Sequence, residues 1–189
     1  EGAYQFGTNS NGSDHSALFS TTGIGRKLDN RFLTPTIWAY YDYASGEDDF
    51  ANVARGDDGY DHLFPLAHKY NGFMDLFGRR NLHDLNVLSI TPLNKNVKFI
   101  LWYHYFALAE PTTPYSVVMT PYNTATQATD RELGHEIDML FNITFNTRTN
   151  LLLGYSHFSG GDYYDNPAIG PADGDNDADF FYAQFQRRF

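Results

Sequence analysis

Histidine and aspartate residues lie close together in the segment 61–84, where their side chains could bind a metal ion. The segment holds three residues of each type: His62, His68, His83, Asp61, Asp75 and Asp84. Its spacing matches no zinc signature. Further on, His135-Glu136 is followed by Met139, where a His-Glu-x-x-His motif needs its second histidine. We therefore expect these side chains to pack within a loop, and we predict no metal site there.

Alternating aspartates offer a second possible metal site. Asp173, Asp175, Asp177 and Asp179 are separated by single Gly, Asn and Ala residues. Carboxylate oxygens are ligands that calcium prefers, but the residue order of an EF-hand loop is absent. A solvated acidic loop is the interpretation we favour, with Asp173, Asp175 and Asp177 as calcium candidates. We predict no other cofactor.

Enzymatic motifs are the next possibility. Glu136 and Asp138 could form the carboxylate pair of a glycosidase, but such a pair acts only at a defined separation. The sequence has no Gly-x-Ser-x-Gly elbow, no phosphate-binding loop and no dinucleotide fingerprint. We therefore predict that the chain is not an enzyme.

The composition narrows the class of protein. The formal net charge is -10, which excludes the basic surface that a nucleic-acid-binding protein needs. Without cysteine there is no disulfide framework and no thiolate metal site. Aromatic residues make up 17% of the chain although its mean hydropathy is -0.46, and no run of eighteen apolar residues occurs. This combination suits strands that alternate between apolar and polar side chains, as in a membrane β-barrel.

The last stretch of the chain alternates in this way. From 178 to 189, every second residue counted back from Phe189 belongs to a largely aromatic face, and the other set is mostly polar. This ending resembles the last strand of bacterial outer-membrane β-barrels, in which a terminal Phe serves as an assembly signal. The resemblance implies that Phe189 contacts the barrel assembly machinery. An edge strand of a soluble β-sandwich is the alternative.

Turn and strand signals divide the chain into about eight antiparallel strands. We expect them at residues 1–7, 14–28, 34–44, 83–92, 97–109, 132–145, 151–159 and 178–189. Short connections at 29–31, 93–96 and 146–150 alternate with long ones at 45–81, 110–131 and 160–177. This rhythm predicts an all-β transmembrane barrel with short periplasmic turns and long outer loops. Residues 1–189 are then a single barrel domain or, as we favour, its carboxyl-terminal fragment, because the first strand is short.

The faces of the strands suggest what lies on each side of the sheet. In 97–109, one face is apolar and aromatic, and the other includes Lys98 and His104. In a barrel the polar set lines a wet lumen. If the hairpin pairs symmetrically about its loop, His104 lies opposite Asp138. We expect an aromatic girdle at the membrane interface from Trp38, Tyr40, Tyr41, Tyr43, Trp102, Tyr103 and Tyr105.

The segment 60–84 resembles the alginate export family of outer-membrane porins. The residues that carry the resemblance are Asp61, Phe64, Pro65, His68, Gly72 and Asp75, followed by Asn81 and Asp84. Residues 103–106, 132–138 and 154–158 and Phe189 are also similar, whereas Ala67 departs from the family pattern. The resemblance implies an eighteen-stranded barrel in the bacterial outer membrane, in contact with lipid and lipopolysaccharide. It also implies passive passage of an anionic polysaccharide, for which the strands seen here are fewer than half of the barrel.

Charged residues on the polar faces and in the long loop are the candidates for the substrate pathway. Basic side chains select anions in pores, and arginine binds carboxylate bidentately. Alternatively, Arg79 and Arg80 pair with Asp75, Asp84 or lipopolysaccharide. Acidic groups would repel a polyanion unless paired, as His104 and Asp138 could be. The pathway candidates are Lys98, Arg188, Lys69, Arg79, Arg80, His104, Asp138 and Glu136.

Two other functions remain open. One is a general porin with a different cargo. The other is a soluble β-sandwich that binds carbohydrate through exposed Trp and Tyr side chains. Solubility without detergent distinguishes the sandwich from either porin.

Overall fold

The protein folds into one antiparallel sheet of eight strands that follow one another in chain order. In this computed structural model, the structure describes residues 1–9, 12–29, 33–54, 58–64, 66, 68, 70–172 and 174–189. The strands are β1 Gly2–Thr8, β2 Asp14–Lys27, β3 Thr36–Ala44, β4 Leu82–Pro92, β5 Val97–Ala107, β6 Glu132–Asn146, β7 Thr149–Gly160 and β8 Ala178–Arg187. The predicted all-β class, with eight antiparallel strands, is confirmed.

Each strand pairs with the next strand in the chain, so β1 and β8 are the two outer strands of the sheet. Within the described ranges no backbone pairing joins β1 to β8. Helical structure there consists of two short 3-10 turns, Phe50–Asn52 and Asp162–Asp165. No helix in the described part of the chain is long and apolar enough to cross a membrane.

The connections fall into two groups at opposite ends of the strands. We call one end of the sheet the turn end; it has the connections 28–35, 93–96 and 147–148. Of the predicted turn at 29–31, only Asp29 lies within the described residues. We call the other end the loop end; it has the connections 9–13, 45–81, 108–131 and 161–177.

The two faces of the sheet differ in what covers them. The inner face carries Asp42, Asp84, His104, Glu136 and Asp138, which are aligned across neighbouring strands and buried beneath the long connections. The outer face carries large apolar side chains that remain exposed, among them Leu85, Val87, Leu101, Ile137, Met139, Phe141 and Phe181. The sheet is therefore polar on its covered side and apolar on its open side.

Three residues of the predicted aromatic girdle lie on the inner face instead. In the strand register, Trp38 lies opposite Leu88, and Tyr40 lies opposite Asn86. Trp102 lies between Leu88 and the inner-face residue Asp138. The prediction failed for them because it grouped residues by closeness in sequence, whereas neighbouring positions of a strand point to opposite faces. Trp38 and Tyr40 stack with ring centroids 5.6 Å apart.

Glycine makes room for these stacked rings. A Cβ at Gly23 or Gly25 would lie 2.2 Å from a ring atom of Tyr40 or Trp38, respectively. The rings therefore cover the backbone of β2 directly, a way of protecting strand glycines that sheets use.

The main apolar cluster lies at the loop end, where the long connections meet the inner face. Phe77 packs edge-on against Phe106 and Phe158, with centroids 5.1 and 5.8 Å apart. The cluster also contains Leu82, Leu108, Ala128, Leu133 and Tyr163. Burial of these side chains holds all three long connections against the sheet.

Candidate functional site

The 45–81 connection docks on two carboxylates of β6. The backbone N–H of Phe73 donates to Asp138 Oδ2 at 3.2 Å, and the N–H of Met74 donates to Glu136 Oε1 at 2.9 Å. Both acidic side chains are 0% exposed. A buried acidic oxygen that accepts a backbone N–H satisfies both groups, which would be costly to leave unpaired. These two predicted pathway residues therefore hold the loop on the inner face.

Gly72 allows the loop to approach so closely. Its φ of +86° is a left-handed conformation that glycine adopts at little cost. A Cβ at this position would lie 2.5–2.6 Å from the three carboxylate atoms of Glu136. The loop thus needs glycine here for both its backbone angle and its contact.

Replacing Gly72 with alanine is expected to weaken loop docking by about 1–3 kcal/mol, because the added methyl group displaces Glu136 and the backbone is strained. Faster proteolytic cleavage within 45–81 measures this effect. Gly174→Ala is the matched control, because Gly174 also has a positive φ, +72°, but nothing lies within 4 Å of its Cβ position. Equal effects of the two substitutions would mean that the contact with Glu136 contributes nothing.

His68 and Asp75 shape the loop just before and after this contact. Asp75 Oδ1 accepts the His68 backbone N–H at 2.8 Å, and its Oδ2 lies 2.9 Å from the imidazole Nδ1. The same ring nitrogen is 2.8 Å from the Phe73 carbonyl oxygen. His68 also packs on the rings of Phe73 and Tyr182, at centroid distances of 4.6 and 5.1 Å. These residues act as loop-packing groups, in line with the loop-packing interpretation.

The other motif residues lie at the edge of the loop. Asp61 exchanges backbone hydrogen bonds with the Gln5 amide, at 2.9 Å through its N–H and 2.6 Å through its carbonyl. Phe64 is 90% exposed. Pro65, together with Ala67 and the pathway candidate Lys69, lies outside the described residues.

His104 lies at the centre of a buried polar network on β4, β5 and β6. Its Nδ1 is 2.9 Å from Asp84 Oδ1, and its Nε2 is 3.9 Å from Asp138 Oδ2. Asn86 donates to Asp84 at 3.0 Å and accepts from Trp102 Nε1 at 2.9 Å. The structure thus brings together three of the predicted pathway residues, His104, Glu136 and Asp138, and adds Asp84 and Asn86, which were not among them.

The predicted alignment of His104 with Asp138 is wrong. In the strand register His104 lies opposite Glu136, and Asp138 lies opposite Trp102. A β-bulge between Phe106 and Ala107 shifts the pairing next to the loop, so the hairpin is not symmetric. Asp138 still approaches His104, but diagonally.

Arg79 and Arg80 lie beneath the loops. Arg79 pairs with Asp42 at 3.1 Å, and its guanidinium packs between the rings of Phe19 and Tyr70 at 4.4 and 4.5 Å. Arg80 is 7% exposed and packs on Tyr115 at 4.7 Å. The alternative to a pathway role was pairing of Arg79 and Arg80 with Asp75, Asp84 or lipopolysaccharide. Of the two carboxylates, Asp75 faces His68 and Asp84 faces His104 instead.

A comparison with known families adds to this geometry. The family model described as "Alginate export" matches residues 1–173. The chain belongs to the alginate export family. This confirms the resemblance seen in the sequence. The family comprises outer-membrane transport porins. A comparison with curated protein sequences finds no match.

In this member of the alginate export family, charge is distributed unevenly along the strands. Lys98 and Arg188 are exposed at the turn end, where the Arg188 N–H donates to the Arg148 carbonyl at 2.8 Å. Among the described residues of that end, one acidic side chain, Asp29, accompanies Arg26, Lys27, Lys95, Lys98, Arg148, Arg187 and Arg188. In the described parts of the long connections, most of the charged residues are acidic. Lys98 and Arg188 lie at the turn end, whereas the network around His104 lies beneath the long connections.

Two acidic side chains of the 161–177 connection accept backbone N–H groups. Asp177 donates its N–H to Asp175 Oδ1 at 3.1 Å and accepts from Gly160 N–H at 3.3 Å. The calcium candidate Asp173 lies outside the described residues. Sequence reasoning missed a different group, Glu47, Asp48 and Asp58, whose oxygens lie within 4.8 Å of one another. Residue spacing offered no signal for it, because Asp58 comes from a separate part of the loop.

Three similar polar clusters mark the outer face close to the loop end. Tyr41 bonds to His83 Nδ1 at 2.6 Å, and Tyr103 bonds to His135 Nδ1 at 2.7 Å. The two ring pairs have centroid distances of 5.9 and 5.8 Å. In the third cluster Tyr155 donates to Asp179 at 2.6 Å. The repeated signal in the sequence is Tyr-x-Tyr or Tyr-x-His on one strand, followed by His or Asp early in the next strand.

Proposed function

We propose that this chain forms part of the wall of an outer-membrane porin through which an anionic polysaccharide or oligosaccharide passes passively. The polar inner face lines the lumen, and the apolar outer face contacts lipid. Membership of the alginate export family and the positive charge at the turn end support this cargo class. Passage involves no chemical step, so it depends on the width of the lumen, its charge and its water content.

The polarity of the two faces carries this proposal. A soluble β-sandwich buries its apolar faces and exposes its polar ones. Here buried acidic and polar side chains lie on one face, while large apolar side chains such as Leu101, Ile137 and Met139 are exposed on the other. An exposed apolar surface of this kind indicates contact with another apolar surface or medium. For a transmembrane barrel that medium is the lipid bilayer. The comparison favours the porin over the soluble carbohydrate-binding sandwich.

The tyrosine clusters support an interfacial position for the loop end of the outer face. Tyr41, Tyr103 and Tyr155 lie on β3, β5 and β7, and each has a polar partner on the following strand. Aromatic side chains with a polar group are preferred at membrane–water interfaces. We assign these clusters to the headgroup layer of lipid and lipopolysaccharide.

The basic turn end supports an anionic cargo. Cations there are exposed, and Lys98 belongs to the inner face. A surface of one charge sign raises the local concentration of oppositely charged ligands and speeds their capture. Rings of basic side chains also select anions in pores. This end would therefore capture a polyanion before it meets the acidic loop end.

The docked 45–81 loop sets the free width of the lumen next to this sheet. It occupies the inner face through Phe73 and Met74. A barrel closed with eight strands is filled by side chains and leaves no channel for a polymer. We therefore propose that the sheet contributes to a wider barrel, such as the eighteen-stranded type, with the loop as its constriction.

Ion selectivity in planar bilayers tests this function. We compare the protein with a triple variant in which Lys95, Lys98 and Arg188 become glutamine. We expect anion-selective current in the parent, with block by an oligouronate from the turn side, and at least tenfold weaker block in the variant because capture is electrostatic.

The matched control has the same net charge change at the other end. Thr124, Ala125 and Gln127 are exposed in the 108–131 connection and each becomes glutamate. This control should retain block from the turn side. Unselective current that neither triple variant changes would favour a general porin, and absence of current would contradict the pore itself.

A further inference from the structure

A cavity of about 220 Å³ lies between the inner face and the docked loop. Tyr40, Asn86 and Trp102 line it from the sheet, and Tyr70 and Asn71 line it from the loop. One water needs only ~10–15 Å³ of such volume, and pockets for drug-sized ligands hold roughly 300–1,000 Å³. The cavity therefore has room for one small organic group.

Asn71 is the residue that points to a ligand. It is 5% exposed, and neither its Nδ2 nor its Oδ1 has a hydrogen-bond partner in the part of the chain that the structure describes. Buried polar groups are nearly always hydrogen-bonded, because an unpaired one costs free energy. A ligand in the cavity that has both a donor and an acceptor would satisfy both atoms.

The aromatic walls are held in place by their neighbours. Trp102 donates its Nε1–H to Asn86 Oδ1 at 2.9 Å. Tyr40 stacks on Trp38, and its ring lies against Gly23. Aromatic walls with a few placed polar groups are typical of small-molecule sites. A sugar ring has apolar C–H faces for such walls and a rim of hydroxyl groups that both donate and accept.

The charge around the cavity determines which sugar fits. Asp42 lines the cavity, and its carboxylate is already bound to Arg79 at 3.1 Å and to Thr21. Asp84 lies next, bound to Asn86. A uronate would bring another carboxylate out of water beside these groups, without a described cation left to face it. A neutral sugar has an uncharged hydroxymethyl group in place of that carboxylate, so its burial does not carry the cost of removing a charge from water.

We propose that this cavity binds one neutral pyranose ring of a saccharide, with Asn71 bonding to its hydroxyl groups and Tyr40, Tyr70 and Trp102 packing on the ring. The site is additional to the passage of an anionic cargo, and its occupation does not require that passage. It adds a neutral-sugar site beneath the loop of the lumen wall.

Tryptophan fluorescence provides the test, because Trp38 and Trp102 are the two tryptophans of the chain. In the full chain in detergent, Trp38→Phe leaves Trp102 as the reporter. We titrate it with a β-1,4-linked mannotriose and with the same trisaccharide oxidised to a carboxylate at every C6. We expect a saturable fluorescence change with mannotriose at a Kd at least tenfold lower than with its oxidised counterpart.

Asn71→Gly removes the amide and suits the φ of 50° at this position. It should weaken mannotriose binding about tenfold. Gln184→Ala, which removes an exposed amide from the inner face of β8, should leave binding unchanged. The proposal is overturned if mannotriose causes no change in fluorescence, if the oxidised trisaccharide binds as well or better, or if Asn71→Gly binds as the parent does.

Discussion

Substituting Asn81 with leucine is expected to release the long connections from the sheet and to lower the free energy of unfolding by about 3 kcal/mol. Asn81 is 0% exposed and has a φ of 53°. Its Nδ2 donates to the carbonyls of Glu110 and Thr113 and to Thr112 Oγ1, at 2.9–3.1 Å. Its Oδ1 accepts the Glu110 N–H at 2.7 Å. Leucine leaves these groups unpaired and does not favour a left-handed backbone.

Urea unfolding in detergent measures the loss, and limited proteolysis locates it in 45–81 and 108–131. Gln127→Leu is the control, because Gln127 is an exposed amide of the 108–131 connection, which Asn81 contacts. Its effect should stay within about 0.5 kcal/mol. Similar stabilities of the two variants would contradict the role of Asn81 as the residue that joins the two loops.

A charge on the outer face is expected to cost more than the same charge on the inner face. Met139→Arg places a cation among Ile137, Phe141 and other exposed apolar side chains. In lipid this costs about 2–4 kcal/mol near the middle of the bilayer. Asn142→Arg, on the inner face of the same strand, should cost less than about 1 kcal/mol because a wet lumen solvates it.

Folding into lipid vesicles, followed by the folded fraction at increasing urea, measures both variants. Since they lie three residues apart on β6 and add the same charge, the difference between them reports the face and not the strand. Equal losses would contradict the assignment of the outer face to lipid.

The strands were predictable because each signal is local. Glu132–Asn146 alternates except at His135 and Leu140, and Ala178–Arg187 alternates between a largely aromatic and a mostly polar face, so their period of two residues is visible in the sequence. The long connections were visible from their Pro, Gly and Asn content. The expected bounds therefore agree with the observed ones to within two residues at both ends of every strand.

The candidate site was less predictable because its contacts are distant in sequence. Asp138 lies 65 residues from Phe73, whose N–H it accepts, and no spacing rule relates them. The acidic residues were expected to face cargo, but Glu136 and Asp138 hold the loop. The bulge at Phe106 changed the partner of His104, and a bulge leaves no unique sequence pattern.

Single cysteine substitutions test the central claim, that one face of this sheet meets water and the other lipid. The chain has no native cysteine, so each substitution provides the sole thiol. On β6, Phe141 and Met139 belong to the outer face, and Asn142 and Thr144 belong to the inner face. In membranes, a charged thiol reagent should label the Asn142→Cys and Thr144→Cys proteins quickly and the Met139→Cys and Phe141→Cys proteins at least tenfold more slowly. Equal labelling at all four positions, or faster labelling at 139 and 141, would contradict the account.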